Sequence, residues 1–249
     1  MPADCPNCQG TGFELRTGEG GVTTSVRCSC QGANQGERLL RATRIPKRYA
    51  HCDFAEFFPQ HPSQESALRI SREWVELWPA VKHGLLLLGP PGTGKTHLAV
   101  ALARELVRDK SARVLFYEQR ELLKTLQGTF DATSGLRESD VLGRVQRAEI
   151  LVLDDLGAGR TTPWAREVLH DVIAHRYNEK KLMVITSNLN FGDGPDEAAA
   201  PKRPLEERLT LRDRLGDALL SRLYEMCAIV RLQGEDYRKN VGQHSREFL

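Results

Sequence analysis

From Leu85 onward, short continuous apolar runs alternate with longer segments whose apolar residues recur at helical spacing. The runs are Leu85 to Leu88, Val114 to Tyr117, Ile150 to Leu153, Leu182 to Thr186 and Ala228 to Leu232. A strand with one face in water alternates apolar and polar residues, whereas a strand covered on both faces reads as an unbroken apolar run. Between the runs, Thr96 to Arg108 carries Leu98, Leu102 and Leu106 on one stripe, and Pro163 to Tyr177 opens with proline in its first turn, where a helix tolerates it. Leu211 to Met226 reads as one further helix, bearing Arg212, Arg214 and Arg222. The pattern predicts an α/β fold of three layers, with helices on both sides of a five-stranded parallel sheet. Gly192 to Glu207 has Gly, Pro, Ala and charges in place of periodicity, and reads as a surface loop.

The periodicity is weaker upstream. Gln64 to Trp78 predicts a helix with Ala67, Ile70, Trp74 and Leu77 on one face, stopped by Pro79. Arg38 to Arg48 is strongly basic, and Ile45-Pro46 near its end should break a short helix there. The first stretch, through about Gly36, has almost no large aliphatic residues and cannot bury a core without a staple. These changes divide the chain into a small module over 1–36, a basic linker over 37–63 and a main domain over 64–249.

Composition narrows the classes. Hydrophobic residues make up 40% of the 249, enough for a sizeable core. With 35 Lys and Arg against 33 Asp and Glu the formal charge is only +2, so charge alone does not announce a nucleic-acid binder. No apolar run approaches the ~18 residues needed to span a bilayer, and no basic-then-apolar leader opens the chain. A soluble cytoplasmic protein with no membrane partner is expected.

The chemistry concentrates at strand ends. Gly89-Pro90-Pro91-Gly92-Thr93-Gly94-Lys95-Thr96 follows a buried strand and opens a helix, the setting in which a glycine-rich loop cradles the phosphates of ATP. Glycines let the backbone N–H groups face the phosphates, Lys95 neutralises the β and γ oxygens, and the Thr96 hydroxyl is placed for Mg²⁺. Ile150 to Leu153 ends in Asp154-Asp155, at the carboxyl end of a parallel strand, where ligands gather. Asp154 is then a Mg²⁺ holder and Asp155 a polariser of the attacking water, unless the pair simply caps the turn. Asn188, ending Thr186-Ser187-Asn188, could orient the same water or serve as a turn residue.

Of six cysteines, four fall in the first thirty residues. Cys5-Pro6-Asn7-Cys8 and Cys28-Ser29-Cys30 offer two close thiol pairs, a set suited to a structural Zn²⁺, with redox-active or reduced thiols as the alternatives. His51 could stand in for one thiol, and Cys52 and Cys227 read as ordinary buried thiols.

Together GPPGTGKTHLA, LVLDDLG, HRYNEKKLMVITSNL and LLSRLYEM, spread over most of Leu85 to Leu232, resemble the AAA+ ATPases. Within them they resemble the clade of DnaC/DnaI helicase loaders and IstB transposition helpers, most of all a DnaI-type loader with an amino-terminal zinc module. The resemblance implies that Asn188 is the sensor-1 residue, Arg222 the arginine finger and Arg238 the sensor-2 residue. Only seventeen residues follow Leu232, fewer than a full helical lid. Ile45 to Phe54 is similar to the stretch ahead of the ATPase core in loaders, and Glu118 to Gly128, with Arg120 and Lys124, to a helix implicated in single-stranded DNA contact. The activity implied is ATP hydrolysis, slow until a partner or DNA stimulates it. Implied partners are a hexameric replicative helicase and single-stranded DNA, with self-association through Arg222. The expected function is ATP-dependent loading of that helicase; an IstB-like transposition helper and a non-hydrolysing nucleotide-gated adaptor are the alternatives.

Overall fold

The computed structural model describes residues 6–8, 13–17, 21, 23–131, 133, 135, 137–159, 162–191 and 209–239. The main sheet has five parallel strands: β3 (Gly84–Leu88), β4 (Val114–Glu118), β5 (Ile150–Asp154), β6 (Leu182–Ser187) and β7 (Cys227–Arg231). Their spatial order is β4-β5-β6-β3-β7. Side chains of a strand point to opposite faces in turn, so each apolar run supplies two cores at once. Leu86 and Leu88, Leu151 and Leu153, and Met183 and Ile185 enter one core. Leu85 and Leu87, Ile150 and Val152, and Val184 enter the other. The unbroken runs have this physical cause. β7, on the sheet's edge, is fully buried only at Cys227 and Val230.

Helices α1 (Ser29–Ala42), α2 (Pro62–Leu77) and α3 (Lys95–Lys110) cover the second core. The first is covered by α4 (Gln119–Gly128), α5 (Glu138–Arg147), α6 (Pro163–Asn178), α7 (Leu211–Leu215) and α8 (Asp217–Met226). Strands β1 (Phe13–Thr17) and β2 (Thr23–Arg27) form a separate antiparallel hairpin. Among the described residues no helix is long and apolar enough to cross a membrane.

Three local expectations change. The helix expected over Leu211 to Met226 is two, because Gly216 sits at φ 85°, ψ 163°, outside the helical region. The short helix and break expected over Arg38 to Arg48 are present, but the helix begins upstream at Ser29 and ends before Ile45: the Thr43 hydroxyl donates to the Leu40 carbonyl (2.6 Å) and Arg44 turns to φ 64°, ahead of a 3₁₀ turn over Lys47–Tyr49. The expected boundary at 36/37 therefore falls inside α1. Residues of the expected linker also pack against the domain: Cys52, Phe54 and Phe57 are buried with α3, and Phe116 N–H of β4 donates to the Thr43 carbonyl (2.7 Å). Gly192 to Glu207 lies outside the described residues.

Candidate functional site

The glycine loop joins β3 to α3, where the strand's carboxyl end meets a helix N-terminus. Gly92 and Gly94 have φ of 79° and 94°, the left-handed region that favours glycine. Both are also closely approached: a Cβ at Gly94 would run into the Phe57 ring, and one at Gly92 into Asp236. The loop is pinned from both sides. Gln64 Nε2 donates to the Thr93 carbonyl (3.2 Å) and Tyr237 N–H to the Gly92 carbonyl (3.2 Å). Gly94, as N-cap, has no side chain to satisfy the first N–H groups of α3, which stay available to an anion.

Lys95 is buried beneath this loop, its ammonium donating to the Gly89 and Pro90 carbonyls (both 2.7 Å). Burial pushes its pKa down to about 8 from 10.5, against the pull of Asp155 and Asp154. A buried ammonium hydrogen-bonded to loop carbonyls at the N-terminus of a helix that lacks a side-chain cap fits a phosphate site. Because phosphate needs the ammonium form, ATP affinity should fall about fivefold from pH 8 to pH 9, with proton uptake on binding. Calorimetry in two buffers of different ionisation enthalpy reads both; equal affinity and no proton uptake at pH 9 would contradict it.

The acidic pair ends β5. β6 lies between β3 and β5, and its Thr186 joins the two halves of the site. Asp154 Oδ1 accepts from the Thr96 hydroxyl (2.8 Å) and from the Thr186 hydroxyl (2.6 Å). The same Thr186 oxygen accepts from Asp155 N–H (2.9 Å), and Asn188 Nδ2 donates to Asp155 Oδ1 (2.7 Å). Asp155 itself has φ 58°, so the chain turns sharply between the two carboxylates. Burial raises the Asp154 pKa and Asp155 adds to the rise, while the two hydroxyls oppose it. A buried carboxylate in that state gains from a nearby cation. The 2.8 Å between the Thr96 and Asp154 oxygens matches the ~2.9 Å edge of an octahedron with metal–oxygen distances of ~2.0–2.1 Å, so these residues fit Mg²⁺. Bound there, Mg²⁺ would polarise the phosphoryl oxygens of the substrate.

Residues 32–245 match the family model described as IstB-like ATP binding protein. The chain belongs to this family. It is 30% identical over 250 residues to the phage-like element PBSX protein XkdC of Bacillus subtilis (strain 168), covering 95% of this chain and 85% of XkdC. It is 26% identical over 223 residues to the replicative helicase loader DnaC of Escherichia coli (strain K12), covering 88% and 87%. A crystal structure of the DnaC helicase loader superposes with a TM-score of 0.64 and 32% identity, over 76% of this chain and 100% of that one. The fold of this IstB-like protein is thus the P-loop AAA+ α/β sandwich, in a family described as ATP binding.

The remaining expected site residues lie apart from the acidic pair. Pro90 and Pro91 are exposed on the loop's outer side. Arg222, on α8, donates to His170 Nε2 of α6 (2.9 Å) and lies 5.9 Å from the Tyr177 ring centre. Arg238 is exposed, 3.9 Å from Asp236 Oδ1, on the segment that folds back over Gly92 and close enough to depress the Lys95 pKa further. Arg120 and Lys124 are exposed on α4. Cys8 and Cys28 are buried on either side of the β1–β2 hairpin; Cys5, and the side chain of Cys30, lie outside the described residues.

Sequence reasoning missed four contributors in this IstB-like site. Thr186 bridges the carboxylates, Gln64 holds the loop, Phe57 backs Gly94, and buried Gln119 accepts from Gly157 N–H (2.7 Å), fixing the turn after Asp155. Only Thr186 had a sequence signal, as a hydroxyl at a strand's carboxyl end. Thr186→Val keeps the shape and removes both hydrogen bonds. ATP turnover should fall about tenfold, near 1.4 kcal/mol of barrier, while nucleotide affinity changes by less than about twofold. Unchanged steady-state phosphate release would refute the bridging role.

Proposed function

We propose that this protein is an ATP-dependent loader that binds a hexameric replicative helicase and helps place it on single-stranded DNA. The observation that carries this reading is the alignment with a DnaC helicase loader over that structure's whole length, and the Thr96–Asp154 and Asn188–Asp155 contacts of this chain support it. Asp155 and Asn188 are the pair whose contact would register the γ-phosphate, so that hydrolysis acts as a switch rather than as chemistry on a small substrate. Arg222, steadied by His170, is the group assigned to a neighbouring subunit's nucleotide. Arg120 and Lys124 on α4 are assigned to the DNA backbone, which makes binding salt dependent. Cys28 follows β2 directly and Cys8 precedes β1, and the pairing of Phe13 with Arg27 brings both flanks to one end of the hairpin. That supports a four-thiolate Zn²⁺ site of Cys5, Cys8, Cys28 and Cys30 as the platform for the helicase.

The test is size-exclusion chromatography of the purified protein with the replicative helicase of its own source, in ATP, ADP or a slowly hydrolysed analogue. Co-elution in the analogue, with turnover rising on single-stranded DNA, is expected. Failure to co-elute under every nucleotide condition overturns the proposal. The IstB-like match over 32–245 favours a second reading, a transposition helper. ATP-dependent oligomers on duplex DNA that capture a transposase would establish it instead.

A further inference from the structure

We propose that His51, Cys52 and His97 form a second metal site, of the Zn²⁺ type, with one coordination position left open. His51 and Cys52 are neighbours in the turn after the 3₁₀ helix, where Cys52 N–H donates to the Tyr49 carbonyl (3.0 Å). His97 is the third residue of α3, next to Thr96 in sequence. The fold brings these 46-residue-distant positions together, so that each offers a ligand atom within 4.8 Å of the other two.

The spacing suits coordination. Tetrahedral zinc, with Zn–S about 2.3 Å and Zn–N about 2.0–2.1 Å, places sulfur and nitrogen about 3.6 Å apart. Cys52 Sγ and His51 Nε2 are 3.8 Å apart. His97 is oriented as a ligand would be. Its Nε2 lies 2.8 Å from the Asp53 carbonyl, which can only accept, so Nε2 carries the hydrogen and the Nδ1 lone pair is free. A backbone carbonyl holding the far nitrogen is the usual second support of a metal-bound imidazole. Phe57 packs edge-on against the ring (centroids 5.4 Å apart, 66°) and restricts its rotation. Burial lowers the His97 pKa, which favours the neutral form that coordinates, and raises that of the Cys52 thiol to about 11, so the metal must displace its proton.

One thiolate with two imidazoles selects a borderline-soft ion over Mg²⁺ or Ca²⁺, which prefer all-oxygen shells. The nearby Asp53 carboxylate is paired with Arg108 (3.2 Å). Cys52 is buried, His97 half-buried and His51 exposed, so the cluster lies at the protein surface, where water can supply a fourth ligand. Binding converts Cys52–SH and M²⁺ into a Cys52 thiolate–metal bond and releases one proton to water. The ion would staple residues 51 and 52 to the first turn of α3. Phe57, five residues on, already backs Gly94 of the phosphate loop.

Metal content and Co²⁺ titration of the full-length, metal-stripped chain test this, comparing wild type with His51→Ala, Cys52→Ala and a variant with Cys5, Cys8, Cys28 and Cys30 all changed to Ser. The expected result is one bound Zn²⁺ fewer per chain in Cys52→Ala, and Co²⁺ affinity at least tenfold weaker in His51→Ala. A thiolate-to-cobalt absorption band should persist in the four-serine variant. His51 is exposed, so its removal leaves the fold intact, and retained ATP binding verifies that for each variant. Wild-type stoichiometry and affinity in both His51→Ala and Cys52→Ala would overturn the site. So would a metal content that the four amino-terminal cysteines account for completely.

Discussion

Replacing Lys95 with methionine is expected to abolish measurable nucleotide binding and, at the same time, to stabilise the nucleotide-free protein. In the free chain the ammonium is buried, hydrogen-bonded to the Gly89 and Pro90 carbonyls, and the attraction of Asp155 and Asp154 offsets only part of the cost of burial. The fall of its pKa from 10.5 to about 8 corresponds to about 3 kcal/mol at ~1.36 kcal/mol per unit. A lowered lysine pKa means that folding disfavours the charged form. The cost is full below pH 8 and is relieved as pH rises from 8 towards 10.5. Methionine fills similar space without it but leaves the Gly89 and Pro90 carbonyls without this donor, at roughly 1 kcal/mol each, so urea unfolding at pH 7 should show a net gain of about 1 kcal/mol that shrinks above pH 8. Binding moves the other way. Two or more charge-assisted hydrogen bonds to phosphate, about 1.5–3 kcal/mol each, disappear, and affinity for a fluorescent ATP analogue should fall at least about a hundredfold. A methionine variant that is less stable than wild type at pH 7, or that still binds within tenfold, would contradict this account.

The second large effect is at Arg176, which has no part in nucleotide chemistry. It is completely buried on α6. Its Nη1 donates to the Val145 and Ala148 carbonyls (2.8 and 3.1 Å), and its Nη2 to those of Glu149 and Leu182 (3.2 and 2.6 Å). One planar guanidinium therefore ties the end of α5 to the starts of β5 and β6. Burial brings its pKa down to about 10, still well above neutrality, so the charge stays on and is distributed over carbonyl dipoles. Arg176→Met would leave four carbonyls, two of them in part-buried contacts, without this donor, at roughly 1–2 kcal/mol each, which outweighs the relief of the buried charge, and stability should drop by about 2–4 kcal/mol. Arg176→Lys should recover little, because a single ammonium cannot reproduce the fork. The urea midpoint of the two variants, at unchanged slope, is the measurement. A lysine variant as stable as wild type would mean that charge alone, rather than planar bridging, holds the junction.

Much of the site was legible for local reasons. The phosphate loop is a contiguous spacing of glycines, lysine and threonine, and the acidic pair closes an apolar run, so chain order alone brought both to strand ends. Thr186 was harder. Its role depends on β6 inserting between β3 and β5, a decision about strand order that no single run records. Gln64 and Phe57 act on the loop from about thirty residues upstream, and Asp236 from the far end of the chain, each through packing rather than pattern. The break at Gly216 was hidden because Leu211, Leu215, Leu219 and Leu223 keep helical spacing across it. Arg176, in the last turn of an amphipathic helix, reads as an ordinary solvated cation until the neighbouring carbonyls are in place.

By itself the sequence determined the five strands, their two-sided burial and the chemical parts of a nucleotide site, because these follow from periodicities of two and 3.6 and from residue types at fixed short spacing. Only the tertiary structure decided which hydroxyl joins Asp154 to Asp155, that the loop carbonyls hold Lys95, and that His51, Cys52 and His97 converge. Those contacts form between residues distant in the chain, and close packing of the two cores, not local preference, sets their distances.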